Sequence, residues 1–392
     1  MTRARFTGQH QRKALADGRP APQRWSGWKL VFYAVVAAGL YATWVRFSRG
    51  LGASTALSDP FPWGLWIGFD VLCGVGLAAG GFTITAAVYL LNLERFKPIV
   101  RPTLLTAFLG YVLVIVALLY DLGRPLVIWH AMVMWNPHSV MFEVAWCVML
   151  YTTVLALEFA PIVFERLGWM QAARWMKPWV VVLVVLGVML STLHQSSLGS
   201  LYLIVPHRLH PLWYSPLLPA FFFLSAISVG LAMMIFESFL SYRSFRKQIE
   251  LPLLQDLARV LVVVLGVYLV LRFEDLGARG ALRHLWEPRQ ETYFFWMEVL
   301  LGAVVPAALL AFRRVRASSG GLVLSAVLVV LGFLTNRLNV SITGMQASSE
   351  AVYFPKWTEI SVTLFLVAMG FALFTLATKH LPIFTPVEER PA

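Results

Sequence analysis

Four ionisable residues lie inside long apolar stretches of the sequence, where a charged side chain is costly. They share a position four to six residues from the end of their stretch: Asp70, Glu143, His194 and Glu298. If the stretches are helices that cross a membrane, the four residues lie on the order of 6–9 Å below one surface at ~1.5 Å per residue. Ionisable groups at such depth are functional candidates by default. A histidine beside carboxylates can give and take protons, so this layer predicts acid–base chemistry.

Two further acids lie toward the opposite ends of their stretches. Glu158 shares its predicted helix with Glu143, fifteen residues away, and Glu237 lies in another stretch. Buried acids at this depth could relay protons across the apolar gap between the two layers, and Glu298 could extend the relay. Alternatively, Glu158 and Glu237 pair with Arg166 and Arg243 at the membrane surface.

The composition excludes an ordinary soluble enzyme. Of 392 residues, 59% are hydrophobic and 13% are charged, with a mean hydropathy of +0.71, whereas soluble domains carry about 25% charged residues. The net charge of +12 would fit nucleic-acid binding in a soluble protein, but membrane topology explains it better. Cys73 and Cys147 are too few to ligate an iron–sulfur cluster, which needs about four thiolates.

Ten apolar stretches are long enough to cross a bilayer as helices. The sequence therefore predicts an all-α polytopic membrane protein with about ten transmembrane helices. The predicted spans, of which the ninth is the shortest, are Leu30–Phe47, Leu65–Leu91, Thr103–Tyr120, Ser139–Phe164, Pro178–Leu198, Pro216–Tyr242, Leu257–Phe273, Thr292–Phe312, Leu322–Thr335 and Trp357–Thr378. We interpret the first as a retained anchor, because it is longer than the apolar core of a signal peptide.

Lysine and arginine are distributed unevenly between the two predicted sides. Twenty-one lie on the side of the N-terminal arm, Met1–Lys29, and ten lie on the other side. Because basic residues collect in cytoplasmic loops, this predicts that both termini are cytoplasmic and that the arm is a basic cytoplasmic segment.

His194 is the single histidine of the eight that falls within a predicted span. Membrane haem of the b type usually needs two such histidines, so we predict no haem. His194 could be a satisfied packing residue, but Gln195 and two serines follow it directly. Reduction of a quinone needs an apolar slot, hydrogen-bond donors and acids with a route to water, and this layer has that composition. The electrons must come from another protein, since no group in this chain can store them.

Three motifs carry a resemblance to a known family. The segments Phe61–Asp70, Leu157–Trp169 and His194–Ser200 resemble the HybB-like branch of the NrfD/PsrC family, the integral membrane subunits of periplasmic nickel–iron hydrogenases and related respiratory complexes. The resemblance extends over about residues 61–386.

This resemblance implies a fold of two four-helix bundles, in residues 65–200 and 201–340. Peripheral helices then lie in residues 30–64 and 341–392, the latter ending in a cytoplasmic tail. It also implies a quinone, menaquinone or ubiquinone, near the outer face of a bacterial inner membrane. The family's site positions carry over to Trp63, Asp70, Glu143 and His194, with Gln195 beside them.

The resemblance further implies the partners of the chain. Electrons would come from a periplasmic iron–sulfur, ferredoxin-like subunit, and through it from a catalytic subunit such as a nickel–iron hydrogenase. The same branch serves sulfur-oxidation and quinone-reductase complexes, so the donor stays open. A second class of function is a proton-coupled transporter, in which these acids relay protons; paired, interrupted helices in the two halves would favour it.

Overall fold

The structure is a computed structural model that describes residues 27–245, 251–349 and 352–384, without the side chains of 242–245. Residues 1–26 of the predicted N-terminal arm lie outside this description, as do Arg246, Lys247 and most of the predicted C-terminal tail. The first helix begins at Gly27, so the last three residues of the predicted arm belong to that helix.

Ten helices are long and apolar enough to cross a membrane, which confirms the predicted fold class. They are α1 (Gly27–Arg49), α2 (Trp66–Leu90), α3 (Glu94–Asp121), α4 (Val140–Leu167), α5 (Met170–Ile204), α6 (Leu218–Ser241), α7 (Leu251–Ala278), α8 (Gln290–Ala311), α9 (Ser319–Gln346) and α10 (Trp357–His380). Within the described ranges, the single β-type contact is an isolated bridge between Ser58 and Phe61.

The helices pack in two rings. Helices α2 to α5 contact one another in sequence, and α5 returns to α2; helices α6 to α9 form a second closed ring in the same way. The rings meet where α6 packs against α2 and α5, and where α9 packs against α2. Helices α1 and α10 pair with each other and lie against α3, outside both rings.

Small residues allow the close approach of the two rings. A Cβ atom added at Gly230 of α6 would lie 2.9 Å from the backbone nitrogen of Gly80 in α2. The glycines of α2 and α6 therefore let the two helix backbones approach closely. Helix α2 also departs from regular α geometry, with a π-helical segment at Trp66–Cys73 and a second one at Ala86–Leu90.

Helix α9 is twice as long as the apolar stretch Leu322–Thr335 that predicted it, because the helix continues through polar residues. Arg337 is only 1% exposed. Its guanidinium group donates to the Ser225 hydroxyl at 2.8 Å and lies 3.7 Å from the ring centroid of Phe222, both in α6. A buried arginine that is satisfied by a neighbouring helix does not end a membrane helix, and hydropathy alone cannot detect this.

Three of the ten basic residues counted on the side opposite the N-terminal arm are buried side chains of membrane helices. Arg337 is one; Arg46 donates to the carbonyl oxygens of Tyr120 and Leu122 at 2.5 and 2.6 Å and so caps the end of α3. Arg272, 1% exposed, donates to the carbonyl oxygen of Leu212. Without these three arginines, the excess of basic residues on the side of the N-terminal arm increases. We call that side, with the loops around residues 168–169 and 312–318, the basic side.

Candidate functional site

His194 is enclosed inside the first ring without a hydrogen-bond partner. It is fully buried in α5, and its ring centroid lies 5.7 Å from that of Tyr111 in α3. Neither ring nitrogen has a partner in the part of the chain that the structure describes. A neutral imidazole carries one donor and one acceptor, and buried polar groups are normally paired. His194 can therefore bind a polar ligand or a water molecule.

Glu143 and Ser197 join α4 to α5 close to His194. Glu143 lies in the first turn of α4 and is exposed, and Ser197 follows His194 by three residues. The Ser197 hydroxyl forms a short hydrogen bond with the Glu143 carboxyl group and lies 2.8 Å from the carbonyl oxygen of Leu193. The structure thus bonds one accessible acid to a serine that lies about one helical turn from the buried histidine.

Gln195 and Trp63 line the same end of the first ring. The Gln195 amide donates to the carbonyl oxygen of Val75 in α2 at 3.3 Å, while its own carbonyl oxygen has no partner among the described residues. Trp63 lies before α2, with its ring edge-on to that of the fully buried Tyr202 at 5.5 Å. These contacts hold the end of α5 against the entry to α2.

Asp70 faces a different neighbour from the one that we expected. It lies in the π-helical segment of α2 and accepts a hydrogen bond of 2.8 Å from Thr363 in α10. In the described ranges, no hydrogen bond joins Asp70 to His194 or Glu143. An extra residue in a helical turn rotates the residues before it relative to those after it, so spacing alone did not show which helix Asp70 faces.

Glu359 and Tyr353 fix the start of α2 against α10, which the sequence analysis missed. Glu359 is 1% exposed and accepts from the Tyr353 hydroxyl at 2.6 Å and from the backbone nitrogen of Ala56 at 2.9 Å. Tyr353 in turn accepts from the backbone nitrogen of Leu65 at 2.7 Å. Burial and the neighbouring Glu359 carboxylate raise the pKa of Tyr353. The available signal was an acid three residues into the tenth predicted span.

Glu298 is enclosed in the second ring rather than beside His194. Its carboxylate accepts from Trp213 Nε1 at 3.0 Å, Asn336 Nδ2 at 3.1 Å and Asn339 Nδ2 at 2.7 Å. All three groups are pure donors, and the Glu298 carboxyl group supplies the acceptors for them. The grouping of Glu298 with the other three residues in one layer therefore does not correspond to one site.

Glu158 has an unpartnered polar atom on the basic side. Its Oε1 forms no hydrogen bond in the described chain, and the alternative partner Arg166 makes no ion pair with it. Between Glu158 and His194, the hydroxyl groups of Tyr151 and Ser191 are also buried without partners. The Tyr151 ring lies 4.6 Å from that of Tyr111, so polar groups occur at intervals along the interior of the ring.

Glu237 is buried in α6 near the same side. Neither of its carboxyl oxygens has a hydrogen-bond partner in the described chain, and Thr106 of α3 lies beside it. The alternative partner, the side chain of Arg243, falls outside the described residues.

Comparison with known proteins assigns the family. The family described as "Polysulphide reductase, NrfD" matches residues 53–348, about three quarters of the chain. The "Probable Ni/Fe-hydrogenase 2 b-type cytochrome subunit" of Escherichia coli (strain K12) is 36% identical over 349 residues, which cover 88% of this chain and 89% of that protein. The "Menaquinone reductase, integral membrane subunit" of Nitratidesulfovibrio vulgaris is 28% identical over 396 residues, 92% of this chain and 91% of that protein.

A third relative comes from an archaeon. The "Hdr-like menaquinol oxidoreductase integral membrane subunit" of Archaeoglobus fulgidus is 25% identical over 288 residues, 71% of this chain and 68% of that protein. The matches to these relatives cover 71% of this chain or more. The chain therefore belongs to the NrfD family of multi-pass membrane proteins.

Proposed function

We propose that this protein is the haem-free membrane subunit of a respiratory oxidoreductase of the hydrogenase type in a bacterial inner membrane. It anchors periplasmic redox subunits and exchanges their electrons with membrane quinone. Two relatives are named as menaquinone reductase or menaquinol oxidoreductase subunits, and a third is named as a subunit of a nickel–iron hydrogenase. Family membership favours this function over a proton-coupled transporter.

The observation that carries the proposal is the unpartnered His194 one helical turn from Ser197, which is hydrogen-bonded to Glu143. Conversion of a quinone to a quinol takes up two electrons and two protons. The imidazole of His194 can donate a hydrogen bond to one quinone carbonyl, and Glu143 can supply a proton from the exposed end of α4. Glu143 is accessible from the surface between α4 and α5, which in a bilayer faces lipid, so a lipid-soluble substrate can reach it.

The electrons would enter from a partner on the side opposite to the basic side. Within the described ranges, no group of three or more His, Cys, Asp or Glu side chains could hold a metal ion. A periplasmic iron–sulfur, ferredoxin-like subunit would supply the electrons, and a nickel–iron hydrogenase would be the primary catalytic subunit. The relative at 36% identity supports this donor over a sulfur-oxidation or a quinone-reductase complex.

We also propose that protons reach the quinone from the basic side. Glu158 and Glu237 are acids with unpartnered oxygens near that side. The hydroxyl groups of Tyr151 and Ser191 lie between Glu158 and His194 on the same two helices. Glu298 accepts hydrogen bonds from donors of the second ring. It would take part in the relay only through a further polar group that connects the two rings.

The test is purification of the intact complex from its native membrane, followed by solvent extraction and identification of the bound quinone and of the co-purifying subunits. We expect close to one quinone per complex and a hydrogenase with an iron–sulfur subunit. Co-purification with a molybdenum reductase or another catalytic subunit would replace the hydrogenase assignment. A complex without bound quinone and without quinone-linked activity would contradict the proposal as a whole.

A further inference from the structure

A cavity of about 490 Å³ opens on the basic side of the first ring, away from His194 and Glu143. Its deeper wall is apolar and includes Leu104 of α3, Ile162 of α4 and Val184 of α5, with Glu158 beside them. Arg174 and Lys177 line it in the first two turns of α5, where the helix meets the surface. The volume is in the ~300–1,000 Å³ range of sites for small ligands.

The basic side chains that line the cavity differ in whether they form ion pairs. Arg101, deeper in the wall, forms an ion pair with Glu165 at 2.9 Å and donates to the carbonyl oxygen of Pro382. Arg174 and Lys177 are exposed and make no ion pair in the described part of the chain. Two positive charges at the mouth of an apolar cavity are therefore available to a ligand with a negative head and an apolar body.

Tryptophans place the mouth of this cavity at the level of lipid headgroups. Trp169, Trp175 and Trp179 flank the two cations in sequence, and their side chains are exposed by 59%, 68% and 49%. Exposed tryptophans in membrane proteins collect at the boundary between hydrocarbon and water. Basic pockets between membrane helices at this level suit the phosphate groups of lipids.

We propose that this cavity binds an anionic phospholipid from the leaflet on the basic side. Arg174 and Lys177 would hold its phosphate group, and one acyl chain would lie along the apolar wall formed by α3, α4 and α5. Inorganic phosphate could use the two cations but not the apolar wall. A zwitterionic phospholipid could use the wall but would gain less from the cations, since its headgroup carries no net charge.

The experiment measures lipid binding to the purified intact complex by native mass spectrometry after delipidation. Phosphatidylglycerol, phosphatidylethanolamine and inorganic phosphate are added separately, and phosphate is also added in competition with phosphatidylglycerol. The double variant Arg174→Gln/Lys177→Gln is compared with the parent. The matched control is Arg313→Gln/Arg314→Gln, which removes two exposed arginines of the same side that do not line the cavity.

We expect the Arg174→Gln/Lys177→Gln variant to bind phosphatidylglycerol about 30-fold more weakly, corresponding to roughly 1 kcal/mol for each basic group. The control variant should bind phosphatidylglycerol as tightly as the parent does. The parent should bind phosphatidylethanolamine more weakly than phosphatidylglycerol, whereas the double variant should bind the two lipids alike. A second variant, Ala173→Phe, fills the cavity and should weaken binding without removing charge; a thermal melt shows whether it folds.

Equal binding of phosphatidylglycerol to the parent and the double variant would overturn the proposal. So would equal binding of the two phospholipids to the parent, or displacement of phosphatidylglycerol by inorganic phosphate alone. None of these outcomes depends on quinone-linked activity, so this proposal and the proposed function can fail separately.

Discussion

The Ser197 hydroxyl lies within hydrogen-bond distance of both the Glu143 carboxyl group and the carbonyl oxygen of Leu193. A hydroxyl group has one proton to donate, so an ionised Glu143 and the Leu193 carbonyl compete for it. Ser197 therefore ties the Glu143 carboxyl group of α4 to α5, one helical turn from His194.

His194→Ala and Glu143→Gln should each lower quinone-linked turnover by about 100-fold or more, because the first removes the hydrogen-bond donor to the quinone carbonyl and the second removes the proton source. Dye-linked activity of the peripheral partner should stay intact. The measurement compares the two activities in the purified complex, with His380→Ala, an exposed histidine at the end of α10, as the control. Unchanged quinone reduction in His194→Ala would remove His194 from the site.

Ser197→Ala should reduce quinone-linked turnover about fivefold, as expected for the loss of a ~1 kcal/mol hydrogen bond to Glu143. The double variant Ser197→Ala/Glu143→Gln should lose no more turnover than Glu143→Gln alone, since Ser197 acts through Glu143. Ser196→Ala in the same helix is the matched control, and it should behave like the parent. Additive losses of turnover in the double variant would show that Ser197 does not act through Glu143.

The complex should show no haem absorbance that belongs to this chain, because His194 is the single described histidine in the interior of a membrane helix. The measurement is a reduced-minus-oxidised absorption spectrum of the purified subunit, with pyridine haemochrome analysis as a second readout. A stoichiometric b-type band would refute this prediction and would agree with the name of the Escherichia coli relative.

Tyr353→Phe should destabilise the protein by about 1–3 kcal/mol, because Glu359 and the Leu65 backbone nitrogen lose a buried partner. The pKa of Tyr353 is raised in the folded protein. Its contribution to stability is therefore fully present below the ordinary tyrosine pKa of about 10, and it is lost as the pH rises above that value. The measurement is thermal unfolding of both proteins between neutral and alkaline pH.

The difference in stability between the parent and Tyr353→Phe should be constant up to about pH 10 and should shrink above it. Tyr41→Phe, an exposed tyrosine of α1, is the control and should show no such dependence. A difference that grows with alkaline pH would contradict the sign of this prediction.

Glu158→Gln and Glu237→Gln should lower the proton gradient formed for each quinone reduced, if these acids relay protons from the basic side. The measurement uses the complex reconstituted in liposomes with a pH-sensitive dye inside. Glu94→Gln, an exposed acid at the start of α3, is the control. If both variants keep the turnover and the gradient of the parent, Glu158 and Glu237 are structural residues.

The sequence by itself determined the number of helices and their approximate positions. Hydropathy depends on local composition, and an apolar stretch of sufficient length has one stable arrangement in a bilayer, since its backbone must satisfy its own hydrogen bonds. His194 and Glu143 could be selected for the same reason, because an ionisable residue in such a stretch is costly wherever the helix packs.

The tertiary structure decided which helix each polar residue faces. Asp70 and Glu298 looked equivalent to His194 by depth, yet Asp70 bonds to Thr363 of α10 and Glu298 to donors in the second ring. Arg337 looked like a residue beyond the end of a span, yet α6 satisfies its charge within the protein. Depth follows from sequence spacing, whereas direction depends on π-helical turns and on the partners that distant helices supply.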